Sequence, residues 1–200
     1  MVRLAIAERR ELLLAAAWRV MIDQGVAAAT TRAICAEAGM PQSSFHYCFD
    51  SRADLLKIVV TSRVPSHIER AREAVAQSTN AEDRVQHALA GYWKDVVENP
   101  DSHAVLYDIT MTSHYDPELR ELSRFQYSET QKAARAILEY GISDGRFTWN
   151  ADLDTLATGL VAFLDGITLR YVVQPDAPGI ESALRDYGNY LVTHLIAVPD

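Results

Sequence analysis

Apolar residues recur every three or four positions over most of the chain, and Gly, Pro, Asn and Asp cut that rhythm into helix-sized pieces. From Arg9 to Gln24 the stripe is Leu13, Ala16, Ala17, Val20 and Met21, and Gly25 closes it. Thr30 or Thr31 then supplies the side-chain oxygen that caps a short helix carrying Ile34 and Ala38 on its apolar face. Gly39 can take the left-handed conformation that stops this helix, and Pro41 suits the first turn of the next. That next helix, Gln42 to about Cys48, turns Phe45 and Phe49 inward, four residues apart. It leaves Gln42, Ser43, Ser44, His46 and Tyr47 on the outer side. Two short helices joined by a glycine-containing turn, the second with a polar outer face, predict a helix-turn-helix over about residues 31–50. The first helix closes a three-helix core around Ile34, Phe45 and Phe49, so residues 1–51 form one small domain.

Beyond it the pattern stays helical. Ser51 or Asp50 caps a long helix that starts at Arg52 and carries Leu55, Leu56, Val59 and Val60. Pro65 interrupts it, which predicts a bend or restart near residues 61–64, either a hinge or a plain helix boundary. A helix ending near Glu98 has Val85, Leu89, Tyr92, Trp93 and Val96 on one side. Asn99-Pro100 and Asp116-Pro117 each place a capping side chain before a proline, so helices should begin near 100 and 117, the second reaching about Ser143 before Gly145. Asn150 or Asp152 opens a helix to about Val173, Pro175 and Pro178 mark a loop, and a last helix covers about residues 179–197. No period-two alternation competes, so the fold class is all-α with about nine helices: an N-terminal helix-turn-helix domain, then a linker helix and a helical C-terminal domain over 52–200.

The helix before the last loop has two apolar stripes. One is Leu153, Leu156, Leu160, Phe163, Ile167 and Tyr171; the other is Ala157, Val161, Leu164, Thr168 and Val172. A helix apolar around most of its circumference must be covered on both sides. With Ile180, Leu184, Tyr187, Leu191 and Leu195 on the last helix, a four-helix homodimer interface satisfies that need; both stripes lying in one monomeric core also would.

Composition refines this picture. At 200 residues and 48% hydrophobic content the chain can bury roughly 70% of its unfolded surface. The sequence has no run of 18 apolar residues, and Arg9, Arg10 and Glu11 close behind a short apolar start do not form a signal peptide, so no membrane partner and a cytoplasmic location are expected. Cys35 and Cys48 are the only cysteines, which argues against a disulfide framework or a zinc finger. The net charge of -8 is divided unevenly: residues 1–63 carry +2 and the remainder -10. Phosphate contact requires local positive charge, and Arg3, Arg9, Arg10, Arg19, Arg32, Arg52, Lys57 and Arg63 offer it in the first part.

Candidate chemistry is sparse. Asp101, His103, Asp108, His114 and Asp116 cluster in sequence, but His103 and His114 are 11 residues apart, about 16 Å along a helix axis, a poor metal spacing. No metal or cofactor is therefore expected, and no nucleophile elbow, P-loop or dinucleotide fingerprint points to catalysis. Cys48 is either a thiol switch influenced by Arg52 or a small apolar residue. Asp165 and Arg170 interrupt an apolar helix and are exposed at its edge, paired across a dimer or turned to a cavity. Trp93, His103, Tyr107, Met111, His114, Tyr127 and Phe163 combine apolar walls with a few polar tips and are the candidate lining of a small-molecule pocket.

The order Thr-x-x-x-Ile-x-x-x-Ala-Gly, then Ser44-Phe45-His46-Tyr47-Cys48-Phe49, Ser51-Arg52 and Leu55-Leu56, resembles the DNA-binding domain of TetR-type transcriptional regulators over about Glu8 to Lys57. The resemblance implies a homodimer that binds a palindromic double-stranded DNA operator and is released by a small-molecule effector in the C-terminal ligand-binding and dimerisation domain, most often as a repressor. It places Gln42, Ser43, Ser44, His46 and Tyr47 in the major groove, with Thr31, Arg32 and Arg52 on phosphates. A helical metal- or ligand-binding protein with enzymatic activity is the competing reading of the histidines and carboxylates.

Overall fold

The computed structural model describes residues 5–62, 73, 80–143 and 145–199, and within them it contains nine α-helices and one two-stranded sheet. The chain divides into two compact units, one of residues 1–62 and 104–126, the other of 63–103 and 127–200. The boundary differs from the expected division at residue 51, because part of the C-terminal half belongs to the first unit.

In the first unit α1 runs Ile6–Gln24, and its stripe of Leu13, Ala16, Ala17, Val20 and Met21 is buried as the periodicity requires. A short 3-10 turn, Val26–Ala28, leads to α2, Thr31–Glu37. The α2 cap is Thr30, whose Oγ1 accepts from the Ala33 N–H at 3.1 Å. The helix ends at Gly39, whose φ of 64° is the left-handed value that a Cβ disfavours. Its N–H donates to the Ala36 carbonyl and the Met40 N–H to that of Cys35, the paired bonds of a Schellman termination. Next comes α3, Ser43–Cys48, packed with α2 against α1. Phe45 and Phe49 are buried with ring centroids 5.4 Å apart, and Cys48 is buried as a small apolar residue. Helix α4 covers residues 52–62, with Ser51 Oγ accepting from the Asp54 N–H at 3.0 Å and Leu55, Leu56, Val59 and Val60 buried. The bend expected at Pro65 lies outside the described residues.

The second unit begins its described part at α5, Ala81–Glu98, capped by Asn80. Then α6 spans Pro100–Tyr115 and α7 Arg120–Gly141, with residues 104–126 of this stretch belonging to the first unit. The two prolines act differently. Asp116 Oδ1 accepts from the Glu118 N–H, but residues 117–119 form a turn and α7 starts only at Arg120. The Asn99 side chain does not cap α6; its Nδ2 donates back to Asp95 Oδ1 at 3.1 Å.

Asp152 caps α8, Leu153–Val173, by accepting from the Thr155 N–H, and α9 runs Ile180–Val192. Both α8 stripes enter the core of this unit: Leu156, Ala157, Leu160 and Val161 pack with Leu89, Leu138, Trp149 and Leu191. Ile167 packs with Ala177, Ile180 and Leu184. Both stripes are thus covered largely within this chain, the second of the two arrangements that the sequence left open. The face they leave open is Ala162, Gly166, Leu169 and Val173. Among the described helices α8 alone has the length and mean hydropathy of a membrane span, and its buried residues are those just placed in the core.

Sequence periodicity misses one feature. Residues Phe147–Trp149 (β1) pair antiparallel with Leu195–Ala197 (β2), so the last helix stops at Val192 instead of reaching 197. The Asn150 N–H donates to the His194 carbonyl at 2.8 Å, and the buried Trp149 indole donates to the Leu138 carbonyl at 3.0 Å. Three-residue strands are too short for an alternation to register.

Candidate functional site

The outer side of the helix-turn-helix is held in place by what lies beneath it. With Phe45 buried at one end of α3 and Phe49 just past the other, Gln42, Ser43, His46 and Tyr47 stand exposed and Ser44 is half-buried. Tyr47 is 61% exposed, a large apolar ring in water with no fold-internal reason to be there. Thr31 is half-buried and Arg32 exposed, and the Gln42 amide lies 3.5 Å from Thr31 Oγ1, at the limit of a hydrogen bond. The structure thus brings the expected base-reading and phosphate-contacting residues of α2 and α3 onto one face.

Arg52 departs from the expected phosphate contact. Its Nε donates to the Ala29 carbonyl at 3.0 Å, Nη2 to the Val26 carbonyl, and Nη1 faces Asp116 Oδ2 at 3.4 Å. Four-fifths of its side chain is covered. These carbonyls flank the 3-10 turn between α1 and α2, so the guanidinium ties the start of α4 to the entry of the helix-turn-helix. On the same turn the Val26 N–H donates to Asp108 Oδ2, and Thr112 Oγ1 donates to Asp108 Oδ1 at 3.0 Å. A fork of donors on two carbonyls is a role that a lysine could not fill as well.

Other residues counted toward the local positive charge are similarly engaged. Arg10 donates to the Cys48 carbonyl at 2.9 Å and lies over the Phe49 ring at 4.7 Å; Arg19 pairs with Glu37 at 2.6 Å; Lys57 sits over the Phe125 ring at 4.7 Å. Arg3 and Arg63 lie outside the described residues. Sequence counting could not see this, because a formal charge does not reveal its internal partner.

Replacing Arg52 by Ala should destabilise the first unit by about 2 kcal/mol, by removing charge-assisted hydrogen bonds to carbonyls of the turn. At a temperature where the variant stays folded, the slope of log affinity for DNA against log salt should match the parent. Circular dichroism melts and a salt titration check this; a slope reduced by about one would restore the phosphate assignment.

The seven candidate effector residues are divided between the two units. Tyr107, Met111 and His114 belong to the first unit, where Met111 and His114 are exposed. On α6 those two side chains are turned to water. Trp93, His103, Tyr127 and Phe163 belong to the second unit. There Phe163 stacks on Tyr187 with centroids 4.0 Å apart and planes within 4° of parallel, and Tyr127, 44% exposed, donates to Asp165 Oδ2 at 3.0 Å. Burial and the Asp165 carboxylate push the Tyr127 phenol up to about 12. Asp165 is thus partnered within its own protomer, whereas Arg170 is exposed.

His103 is fully enclosed. Its Nε2 lies 3.2 Å from Asp95 Oδ2, its ring meets Tyr92 edge to face at 5.7 Å, and the Tyr92 hydroxyl is 3.0 Å from Thr168 Oγ1. Burial holds His103 below the ordinary 6.5 and outweighs the neighbouring Asp95 carboxylate, which acts the other way. The fold therefore favours the neutral ring, while the unfolded chain takes up a proton as pH falls through 6.5. Protons then favour the unfolded chain, so this contribution is present above that pH and is lost below it. Melting temperatures measured from pH 7.5 to 5.5 should fall more for the parent than for His103→Gln; equal falls would remove His103 as the source.

Asp108, Asp116 and His103, all from the sequence cluster considered for a metal, are now each accounted for by protein partners. Among the described residues no three His, Cys, Asp or Glu side chains gather as a metal ion would need.

A three-helix head with an exposed polar helix, followed by a helical body, defines a helix-turn-helix DNA-binding regulator. The model of the bacterial regulatory proteins of the tetR family matches residues 13–59, and that of the BetI-type transcriptional repressor C-terminal domain matches residues 81–196. The chain belongs to the TetR family of bacterial transcriptional regulators. It is 24% identical over 176 residues to the HTH-type nicotine-responsive transcriptional repressor HdnoR of Paenarthrobacter nicotinovorans, covering 88% of this chain and 90% of that one. In fold it is similar to a TetR transcription regulator from Haloarcula marismortui, with a TM-score of 0.73 and 23% identity over 95% of this chain and 100% of the other. A transcriptional regulator from Saccharomonospora viridis in complex with choline is similar at a TM-score of 0.68 and 22% identity, over 96% and 100% of the two chains.

Proposed function

We propose that this protein is a cytoplasmic homodimeric repressor that lays α3 of each protomer in the major groove of a palindromic operator and leaves when a small molecule binds the C-terminal unit. The observation that carries this reading is the exposed polar face of α3, fixed over buried Phe45. Gln42, Ser43, Ser44, His46 and Tyr47 read base edges there; Thr31 and Arg32 touch phosphates; Arg52 is a positioning residue that sets the angle of the head.

Dimerisation is assigned to the open face of α8. Leu169 is 49% exposed and Val173 77%, and Tyr190 on α9 is 53% exposed. Gly166 on the same face has nothing within 4 Å of where a Cβ would sit, so its lack of a side chain serves no contact within the protomer. A second copy is the occupant that this face fits: self-association doubles the half-site contacts, and the family's operators demand two heads. The nicotine-responsive relative and the solved relative holding choline support a small-molecule effector as the release signal.

Selection of bound sequences from a random DNA pool tests the reading. An inverted repeat with half-sites about one helical turn apart is expected. Recovery of no common sequence at physiological salt would reject it.

A further inference from the structure

A cavity of about 410 Å³ opens in the second unit between the end of α5, the end of α8 and the start of α9, large enough for a small organic molecule. None of the residues proposed above to read DNA or to join protomers lines it. Its aromatic wall is Trp93 and Tyr171, whose rings meet edge to face at 73° with centroids 5.0 Å apart. Both rings line the cavity, and an aromatic ring attracts a cation through its face, the negative side of its quadrupole. The one carboxylate among the lining residues is Glu181, and no Lys, Arg or His lines the cavity. Glu181 has no ion-pair partner among the described residues. The start of α9 would by itself favour an anion, but a carboxylate in its first turn already answers that partial charge and turns the site toward cations. Residues 64–200, from which the whole lining comes, carry -10 and add a field of the same sense.

We propose that this cavity binds a small organic cation, a quaternary or protonated amine, held by the faces of Trp93 and Tyr171 and by the Glu181 carboxylate. Pro175, Ala177 and Ile180 supply the apolar remainder of the wall, which suits an alkylated ammonium better than a strongly hydrated metal ion or a bare ammonium. The inference deepens the effector reading by naming the ligand class, and it is tested on the DNA-free protein so that each can fail alone.

Three probes of one shape and different charge decide it: benzyltrimethylammonium, benzyl alcohol and benzoate, each titrated into the full chain by calorimetry and by tryptophan fluorescence. The cation is expected to bind with a dissociation constant below about 1 mM, and neither other probe within tenfold of it. Trp93→Leu, which keeps apolar bulk but removes the π-face, and Glu181→Gln, on the surface, should each weaken the cation by about tenfold. Unchanged melting of Glu181→Gln keeps that result free of folding effects. Binding of benzoate or benzyl alcohol as tight as that of the cation overturns the proposal. So does cation binding indifferent to both substitutions, or no cation binding up to about 10 mM. Operator release is measured separately with the same cation: binding without release leaves the site standing and removes it as the effector site.

Discussion

Leu169→Arg should sediment as a monomer and lose operator affinity by roughly a thousandfold or more, the largest effect expected of any surface substitution in this chain. Leu169 is half-exposed on a face of α8 that the protomer does not cover, beside Ala162, Gly166 and Val173. A guanidinium costs the isolated protomer little there, because it remains in water. In a dimer it would be driven against its symmetry mate, where two like charges must be desolvated without partners. One head alone keeps only half of the base contacts and the non-specific phosphate attraction, so affinity collapses toward that of random DNA. The melting temperature of the monomeric state should barely change, which separates this variant from Leu160→Asp or Leu191→Asp. Both of those leucines lie in the core of the second unit, at 6% and 2% exposure, and a charge there should unfold it. Sedimentation velocity with a melting curve checks all three, and a dimeric Leu169→Arg would move the interface elsewhere.

The second large effect concerns reading of sequence. Gln42→Ala and Tyr47→Ala should each lower affinity for the selected operator about 10- to 100-fold while leaving scrambled DNA almost unaffected. Both side chains are exposed and neither is needed by the core, so the loss belongs to recognition. Arg32→Ala should behave differently. It removes a point charge from the same face and should weaken operator and scrambled DNA alike, lowering the salt slope by about one. The contrast is measured by fluorescence anisotropy on both duplexes at several salt concentrations. If Gln42→Ala and Arg32→Ala lower both duplexes equally, the division between base-reading and phosphate-touching residues is wrong.

Much of this architecture is legible from residue order because the signals are local. Thr30, Gly39 and Pro41 delimit α2 and α3 through backbone hydrogen bonding and φ preference alone, and the stripe of α1 follows from a single period. Phe45 and Phe49 point inward for the same reason, which is why the outward face of α3 could be named in advance. What periodicity cannot supply is the identity of the partner surface. The stripes of α8 announce burial, but both are covered largely within the same chain, and the face left uncovered carries small residues with Leu169 and Val173. Arg52 shows the same limit for charge. Its sequence position suggests a phosphate, whereas the Ala29 and Val26 carbonyls that hold it lie 23 and 26 residues away. The candidate pocket was hardest to read, because aromatic residues at helical spacing look alike whether they face water, core or cavity. Met111 and His114 turn out exposed, Phe163 stacks on Tyr187, and Trp93 lines a cavity with residues of the loop after α8 that periodicity does not register.

The central claim is operator recognition by paired heads, and affinity for two duplexes of equal length and base composition tests it most directly. One duplex carries the selected inverted repeat and the other the same bases in scrambled order, both titrated at about 0.15 M salt. The repeat should bind at least about a thousandfold tighter, with two protomers per duplex. Equal affinity for the two duplexes, or one protomer bound per repeat at saturation, would contradict it.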